Sequence, residues 1–569
     1  MTSRERTAQA QAPVDWRDYC TRGALADRLD RWSRACWIPF ALFWVGLALR
    51  LWMVHQTTVI CRDGLHYIEF AKQVNAGRGM ELSEWALFNP YPVMIALVAR
   101  LGVSYAVAGQ LIAAICGALA IIPLYLWCRQ AFNRHVADLA AFLYALHPQL
   151  IRMSADVLRE GMYWFLGLWA VACLWSAKER DSWWRYAAGG LLASLCALTR
   201  IEGCLVFFLL GLWCLGDVIA VPRRWLHRFG GAALVACMFP LTIALMNIVF
   251  SPNSEWSMPR PVQVAQDVVA AVSVPASEEG EDSELFRQLD SAGGVPFGQF
   301  AKGEAVRQLA WELPVWNTDG THVPHMHNLR KLLLLLNDHR WAVYLSDYFR
   351  CFWVAFQIPV VIFFAVGIRY CWRSAVPARD IPLVLYGALF SAICFVHLTT
   401  AYVLEARYLF TLTPLIFPWT AFGMIHGYFA TGRWLAERRR IHWFYPLATT
   451  VCCLMMCLTL GKMIHGFSAR KVTQRVLGEQ LQADYGPKLR MAGPPGLRRV
   501  AFYANSQYLI APKLAPSDLA VWLQQQKVEF LVQPAMRAPS GPPGASRILD
   551  KDPRFLELQV YRVSAAQRG

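Results

Sequence analysis

Long apolar runs alternate with short polar segments over most of the chain. A helix that crosses the hydrocarbon core of a bilayer needs about 20 mostly apolar residues. By that measure the pattern predicts about eleven spans, at 36–55, 104–128, 135–151, 157–176, 184–199, 202–220, 229–250, 348–369, 380–397, 408–430 and 442–463. The chain is therefore predicted to be an all-α polytopic membrane protein whose transmembrane domain extends over residues 36–463.

Basic residues mark one side of these spans. They are concentrated in the N-terminal segment 1–35 and in every second short loop between spans. Cytoplasmic loops carry an excess of Lys and Arg, so these segments are predicted to be cytoplasmic. An odd number of spans then places the C-terminus outside. We expect a multi-pass protein of the cell (inner, cytoplasmic) membrane with a cytoplasmic N-terminus and an extracytoplasmic C-terminus.

Three longer polar segments fall on the outer side. In the first outer loop, 56–90, the spacing of Leu65, Ile68 and Phe70 predicts an amphipathic helix that lies on the membrane and begins right after Asp63. The large outer loop, 251–345, ends in an apolar stretch too short to span the bilayer, which favours a lid or an interface.

The third outer segment, 470–569, has the pattern of a small domain. Short runs rich in β-branched and aromatic residues predict strands at 500–503, 529–533 and 555–563. A helix is predicted over 518–526, with Ser517 as its N-cap. We therefore expect a small extracytoplasmic α/β domain after the membrane domain.

Composition agrees with a membrane protein and excludes two other classes. Hydrophobic residues make up 56% of the chain and charged residues 17%, against about 25% charged in a typical soluble domain. The net charge of +16 would fit a nucleic-acid-binding protein, but the basic residues lie in short groups between apolar runs instead of on one polar surface. A chain of several soluble domains and a nucleic-acid partner are therefore both excluded.

Neither cysteine nor histidine spacing indicates a disulfide framework or a metal site. Most of the 16 cysteines lie inside apolar runs, where thiols behave as small hydrophobic groups. His322, His325 and His327 are spaced like metal ligands, but no acidic or Cys partner follows at a fixed offset. We assign no metal ligand, and the use of a divalent metal as cofactor stays open.

Ionisable side chains are costly inside a bilayer, so their positions are informative. On the predicted topology nearly all of them lie at the outer ends of spans, and Asp63 opens the amphipathic segment that also holds Tyr67. They form four groups: Asp63; Arg152, Asp156, Arg159 and Glu160; Arg200 and Glu202; Glu405 and Arg407. Four distant stretches thus bring acids and arginines to one depth, which predicts an outward-facing active site.

Each group also has a purely structural interpretation. Asp63 is explained by a solvated loop carboxylate as well. Asp156 and Glu160 lie one helical turn apart and can pair with Arg152 and Arg159. The two remaining Arg–Glu groups can be local ion pairs at helix ends, although a guanidinium is also the favoured partner of a phosphate.

Short motifs follow one another along the outer ends of the spans. They are R-D-G-L-H-Y-I-E-F-A-K-Q-V-N-A-G-R-G (62–79), N-P-Y-P-V-M-I-A-L (89–97), H-P-Q-L (147–150), L-T-R-I-E-G (198–203) and E-A-R-Y-L-F-T-L-T-P-L (405–415). In sequence and in order they resemble the landmarks of glycosyltransferase family 39, over roughly residues 36–430. That family belongs to the GT-C superfamily and includes protein O-mannosyltransferases and lipid A aminoarabinose transferases.

The resemblance implies a membrane enzyme that moves a sugar, with inversion, from a polyprenyl-phosphate donor to a lipid, glycan or protein acceptor on the extracytoplasmic side. It implies that Asp63 and Glu160 are the catalytic acidic residues. Where many members have Asp-Glu, this chain has Asp63-Gly64, so the second carboxylate of that pair, and any help it gives in holding a metal, is missing. The candidate substrate-binding residues are Tyr67, Asp156, Arg200, Glu202, Arg407 and Tyr408.

The required chemistry agrees with these residue types. A base must take the proton of the acceptor hydroxyl, and the carboxylate of Asp63 can do so. The leaving lipid phosphate gains charge that Arg200 and Arg407 can stabilise. The alternative is a flippase or transporter of lipid-linked sugars, which should carry ionisable residues near mid-membrane. A sensor whose C-terminal domain binds a ligand is a third interpretation.

The topology can be tested at Ser540, in the Gly- and Pro-rich part of the C-terminal segment. We expect a Ser540→Cys variant in a Cys-free background to be labelled in intact cells by a membrane-impermeant maleimide, because an odd number of spans carries this segment outside. The Cys-free parent is the control. Labelling that requires permeabilised cells would mean that a span is miscounted, and the outward-facing site would have to be abandoned.

Overall fold

The structure is a computed structural model. It describes residues 37–77, 89–250 apart from 201 and 221–224, 340–437 apart from 374–376, 402–403 and 405, and 469–563 apart from 495–496, 513–515, 535–541, 544 and 549–557. The described chain is mostly helical and ends in a small sheet. The large outer loop 251–345, up to residue 339, and the predicted span 442–463 lie outside the described residues.

Sixteen helices precede the C-terminal domain in the described ranges. They are α1 (Trp37–Gln56), α2 (Arg62–Asn75), α3 (Pro90–Ala99), α4 (Tyr105–Leu119), α5 (Ile121–Ala131), α6 (Arg134–Leu146), α7 (Pro148–Met153), α8 (Glu160–Arg180), α9 (Trp183–Thr199), α10 (Glu202–Ala220), α11 (Trp225–Phe250), α12 (Arg340–Phe356), α13 (Ile358–Arg373), α14 (Pro377–Ala401), α15 (Ala406–Leu409) and α16 (Thr413–Glu437).

These helices follow the predicted apolar runs, but fewer of them are long enough to span a membrane on their own. Within the described ranges, three helical stretches are long enough and apolar enough to cross a membrane: Trp37–Gln56, Tyr105–Ala131 and Trp225–Leu245. A bent pair, Tyr344–Phe356 with Pro359–Cys371, makes a fourth if it is one span. The count of about eleven spans therefore stays a prediction.

The predicted single span 348–369 is wrong as a continuous helix. The chain turns by 88° between α12 and α13, and Gln357 at the turn has a left-handed φ of 59°. Pro359 follows in the first turn of α13, where its missing N–H is harmless, although it could not lie inside a helix without breaking it. His147 and Pro148 similarly divide the predicted span 135–151 into α6 and α7.

Aromatic side chains pack against one another in the core between α6, α8 and α16. The Tyr144 ring meets Trp164 and Phe417 edge to face at centroid distances of 6.4 and 6.3 Å. Trp127 contacts Trp419 at 6.1 Å in the same geometry. Such pairs add to the stability that burial of the rings provides. The ends of α6, α8 and α16 are thereby held together.

The C-terminal domain is a five-stranded mixed sheet flanked by helices. Its elements are α17 (Ala469–Tyr485), β1 (Arg490–Gly493), α18 (Arg498–Tyr503), β2 (Gln507–Ile510), α19 (Pro516–Gln525), β3 (Phe530–Pro534), β4 (Ala545–Ile548) and β5 (Leu558–Val563). The strand order is β2-β1-β3-β5-β4, with β1 parallel to both β2 and β3 and with β5 antiparallel to β3 and β4. Apolar residues of α17 and α18 cover one face and those of α19 the other.

The predicted strand at 500–503 is wrong, because this segment is the helix α18. An apolar run of four residues has no period that distinguishes a strand from a buried helix. Here Val500 and Ala501 are buried beside α17, whose Gly478 allows the close approach. The strands predicted at 529–533 and 555–563 and the helix predicted at 518–526 are present as β3, β5 and α19.

The packing of α13 on α16 depends on two glycines, which provides a stability test. A Cβ at Gly423 would overlap the carbonyl oxygen of Phe363, and a Cβ at Gly367 that of Trp419. We expect Gly423→Ala to destabilise the protein by about 1–3 kcal/mol, because a backbone contact cannot yield as a side chain can. Heating of the detergent-solubilised protein, followed by circular dichroism, measures the effect.

Gly387 in α14 is the matched control, since a Cβ there meets nothing within 4 Å. Gly387→Ala should leave the unfolding temperature unchanged or raise it slightly, because Ala favours the helix. Equal unfolding temperatures for the two variants would contradict the glycine contact.

Candidate active site

The first candidate residue, Asp63, lies in the first turn of α2. The helix begins at Arg62, so the expectation that it begins after Asp63 is corrected by two residues. Cys61 caps it, since the Cys61 sulfur accepts from Gly64 N at 3.3 Å. A carboxylate at a helix N-terminus is stabilised by the free N–H groups there. The apolar side of α2 packs into a cluster with α3 and α4.

Asp63 forms an ion pair with a residue far along the chain. Arg407 Nη1 lies 2.5 Å from Asp63 Oδ2, and the two side chains are 22% and 34% exposed. These residues are 344 positions apart. The interpretation of Asp63 as a solvated loop carboxylate is therefore replaced by a specific contact between α2 and α15. Glu405, the alternative partner of Arg407, lies outside the described residues.

Arg200 lies between two carboxylates. Its Nη1 donates to Glu160 Oε1 at 2.5 Å. Its Nε and Nη2 donate to the two oxygens of Glu202 at 3.1 and 2.5 Å. The Arg200 side chain is 4% exposed and that of Glu160 1% exposed. A buried guanidinium that donates from all three of its nitrogens to two carboxylates ties the first turns of α8 and α10 together.

Asp156 connects the turn before α8 to the start of α2. Its Oδ1 accepts from the backbone N–H groups of Val157 at 2.7 Å and Cys61 at 3.1 Å. The Cys61 thiol in turn lies 3.6 Å from Val157 O. Burial and the neighbouring Asp156 carboxylate raise the pKa of this thiol well above its ordinary value. Asp156 therefore fixes the segment that carries Asp63.

Tyr67 lies one helical turn beyond Asp63. Its ring meets Tyr91 edge to face at 5.4 Å, and the Arg159 guanidinium lies 5.8 Å from its centroid. Arg159 also donates to Thr199 O at 3.0 Å. Burial raises the pKa of Tyr67 to about 12, so its hydroxyl keeps its proton at neutral pH. Tyr67 is thus a hydrogen-bond donor beside Asp63.

Tyr408 accompanies Arg407 on α15. The Arg407 guanidinium lies 5.6 Å from the Tyr408 ring centroid, and the ring meets His397 at 5.9 Å. The sequence candidates are therefore arranged as two units: Asp63, Arg407, Tyr408 and Tyr67 around the start of α2; and Arg200 with Glu160 and Glu202 between α8 and α10.

Sequence reasoning did not single out Arg50, which is buried in α1 with 0% exposure. Its Nε donates to Ser154 Oγ at 3.0 Å and its Nη1 to Gly46 O at 2.9 Å. Its guanidinium lies 5.4 Å from the centroid of the Tyr144 ring. A single arginine inside an apolar run is the signal that could have found it. Arg50 thereby joins α1 to the turn that leads to Asp156.

Metal ligands were tested against the geometry. In the part of the chain that the structure describes, no three His, Cys, Asp or Glu side chains converge on a point where they could hold a metal ion. The histidines at 322, 325 and 327 lie outside the described residues. We therefore derive no step of a reaction from a metal ion.

One sequence family matches part of the chain. Residues 90–258 match the profile of the family described as dolichyl-phosphate-mannose-protein mannosyltransferase. The match includes the Arg200 unit and Asp156, whereas Asp63 and Arg407 lie on either side of it. No curated protein is significantly similar to the chain.

Solved structures of low sequence identity share the fold. The oligosaccharyltransferase of Archaeoglobus fulgidus, in complex with zinc and sulfate, is 13% identical, with a TM-score of 0.54 over 88% of this chain and 68% of that chain. ArnT from Cupriavidus metallidurans, bound to undecaprenyl phosphate, is 12% identical, with a TM-score of 0.50 over 94% of this chain and 99% of that chain. At these identities the likeness establishes the fold.

Proposed function

We propose that the chain is a glycosyltransferase of the GT-C type, which transfers a sugar, with inversion, from a polyprenyl-phosphate donor to an acceptor on the outer side of the membrane. The family match over residues 90–258 and the fold shared with solved glycosyltransferases support this proposal. The ion pair between Asp63 and Arg407 carries this proposal. It brings together the two groups that the reaction needs, a base and a cation for a phosphate. The lipid phosphate bound to ArnT supports the class of donor.

Asp63 acts as the general base in this mechanism. An acceptor hydroxyl attacks the anomeric carbon from the face opposite the phosphate, and its proton passes to the Asp63 carboxylate. The bond between the anomeric carbon and the phosphate oxygen breaks, and the electron pair leaves with the lipid phosphate. Attack from the opposite face inverts the configuration at the anomeric carbon.

Arg407 stabilises the leaving phosphate. Its guanidinium is bonded to one oxygen of Asp63, and an anionic oxygen of the donor phosphate can take the place of that carboxylate oxygen. A guanidinium can donate to two oxygens at once, so Arg407 can exchange this carboxylate for the donor phosphate. The exchange releases the base as the donor arrives. Tyr67, which keeps its proton, offers a further donor to the substrate.

We assign Arg200 a positioning role rather than a phosphate contact. All three of its side-chain nitrogens are already bonded to Glu160 and Glu202. Freeing them would leave two carboxylates without their cation in a site that is shielded from water, which is costly. We assign a structural role to Glu160, Glu202 and Asp156 as well. They fix the helix ends and the turn that support Asp63 and Arg407.

Turnover tests the function and the role of Asp63 together. Purified protein incubated with polyprenyl-phosphate sugars and an acceptor should release free polyprenyl phosphate. Asp63→Asn keeps the size of the side chain and removes its basicity, so we expect release to fall by about 10²–10⁴-fold. A flippase of lipid-linked sugars would release no free carrier from any of the donors.

Asp138→Asn is the matched control, because Asp138 pairs with Arg134 in α6, away from α2. It should keep the wild-type rate within about twofold, as expected for a change remote from the site. Activity of Asp63→Asn close to that of Asp138→Asn would remove Asp63 from the mechanism.

Binding of the lipid phosphate tests Arg407. Arg407→Lys keeps the charge but loses the planar fork, so the affinity for undecaprenyl phosphate should fall by about tenfold, as for the loss of one charge-assisted hydrogen bond. Titration of intrinsic tryptophan fluorescence measures it. Arg185→Lys, which alters a contact with Ser176 instead, is the control. Equal affinities of the two variants would leave Arg407 as a structural partner of Asp63 only.

A further inference from the structure

The C-terminal domain forms hydrogen bonds with the linker that leads to Asp63. Residues 57–61 join the end of α1 to the start of α2. Tyr503 Oη accepts from Ile60 N at 3.0 Å, and Arg499 Nε donates to Ile60 O at 2.9 Å. Both polar groups of the Ile60 backbone are thus bound by α18. These contacts bridge 443 and 439 positions of the chain.

The Arg499 contact is buried, and further contacts lie on both sides of Ile60. Arg499 is 4% exposed, and its Nη1 also reaches Gln474 Oε1 at 3.4 Å. Arg475 of α17 donates to Thr58 O at 2.6 Å. On the other side of Ile60, Arg498 pairs with Glu69 of α2 at 2.5 Å. The domain therefore contacts residues before and after Asp63.

Ile60 is the last residue before the cap of α2. Cys61 follows it and is held from the membrane side by Asp156. Asp63 comes two residues later, in the first turn of α2, so the placement of this short segment helps to set where that turn lies. Ordering five linker residues costs conformational entropy, and within the linker the backbone of Ile60 is bonded to α18 rather than to α1 or α2. The direction of the Asp63 carboxylate thus depends on contacts from a domain that contributes no group to the reaction.

We propose that Tyr503 and Arg499 are positioning residues, through which the docked C-terminal domain sets Asp63 for the transfer reaction. The inference rests on the proposed function of Asp63. A general base must lie within hydrogen-bond reach of the proton that it takes. Small displacements of a reacting group lower the rate strongly. Loosening Ile60 should therefore lower turnover more than it lowers donor binding.

The direct test is Tyr503→Phe, which keeps the ring and removes only the hydroxyl that accepts from Ile60 N. We expect kcat to fall by about tenfold while KM for the lipid donor stays within about twofold, because the binding groups are unchanged. Tyr508→Phe is the control, since the Tyr508 hydroxyl donates to Pro494 O at 2.6 Å inside the same domain. It should behave as wild type. An unchanged kcat in Tyr503→Phe would overturn the inference.

Two further measurements distinguish a loss of positioning from a general loss of stability. Combined with Asp63→Asn, the Tyr503→Phe change should cause no additional loss, because it acts through Asp63, whereas additive losses would contradict the inference. Hydrogen exchange of residues 57–62 should become faster in Tyr503→Phe and not in Tyr508→Phe, since the Ile60 amide loses its acceptor. Unaltered exchange would also overturn it.

The exchange experiment does not need turnover. If the wild-type protein releases no free carrier from any lipid-phosphate sugar, the proposed function fails, and exchange still decides whether Tyr503 orders the linker. If the wild-type protein is active and exchange is faster without a loss of kcat, the positioning role alone fails.

Discussion

A buried guanidinium must be matched by carboxylates, and the first turns of α8 and α10 are held together around Arg200 for that reason. Glu160 comes to it from α8 and Glu202 from α10. The turn that holds Asp156 precedes α8, and Asp156 bonds to the backbone of Cys61 at the cap of α2. The ion pair of Asp63 with Arg407 follows in the first turn of α2.

The helical membrane fold could be predicted because long apolar runs reflect one physical cost, that of polar backbone groups in hydrocarbon, which a helix satisfies internally. Breaks inside the helices are a different matter. The bend at Gln357 depends on how α12 and α13 pack, and four-residue strands such as β1 and β2 carry too little pattern to be recognised. The segment 500–503 forms a helix that packs closely on Gly478 of α17. The periodicity of the segment itself carries no information about that neighbour.

The candidate site, too, could be predicted only in part. Residue type and position in the pattern of spans led to Asp63, Arg200 and Arg407 as candidates, because a charge at the end of an apolar run is costly. The ion pair of Arg200 with the neighbouring Glu202 could be predicted as well. The distant partners could not: Asp63 meets Arg407 across 344 positions, and Asp156 bonds to backbone atoms, which every residue possesses. The contacts of Tyr503 and Arg499 with Ile60 were not predictable either, because they involve the backbone of Ile60 and every residue has the same backbone groups.

The ion pair of Asp63 and Arg407 also bears on how the folded chain is completed. The two residues lie 344 positions apart, so the carboxylate in the first turn of α2 meets this cation only when the chain has folded as far as α15. A chain that stopped before residue 407 would lack this charge-assisted hydrogen bond. One contact therefore makes the geometry at the start of α2 depend on the folding of a segment from the far end of the helical domain.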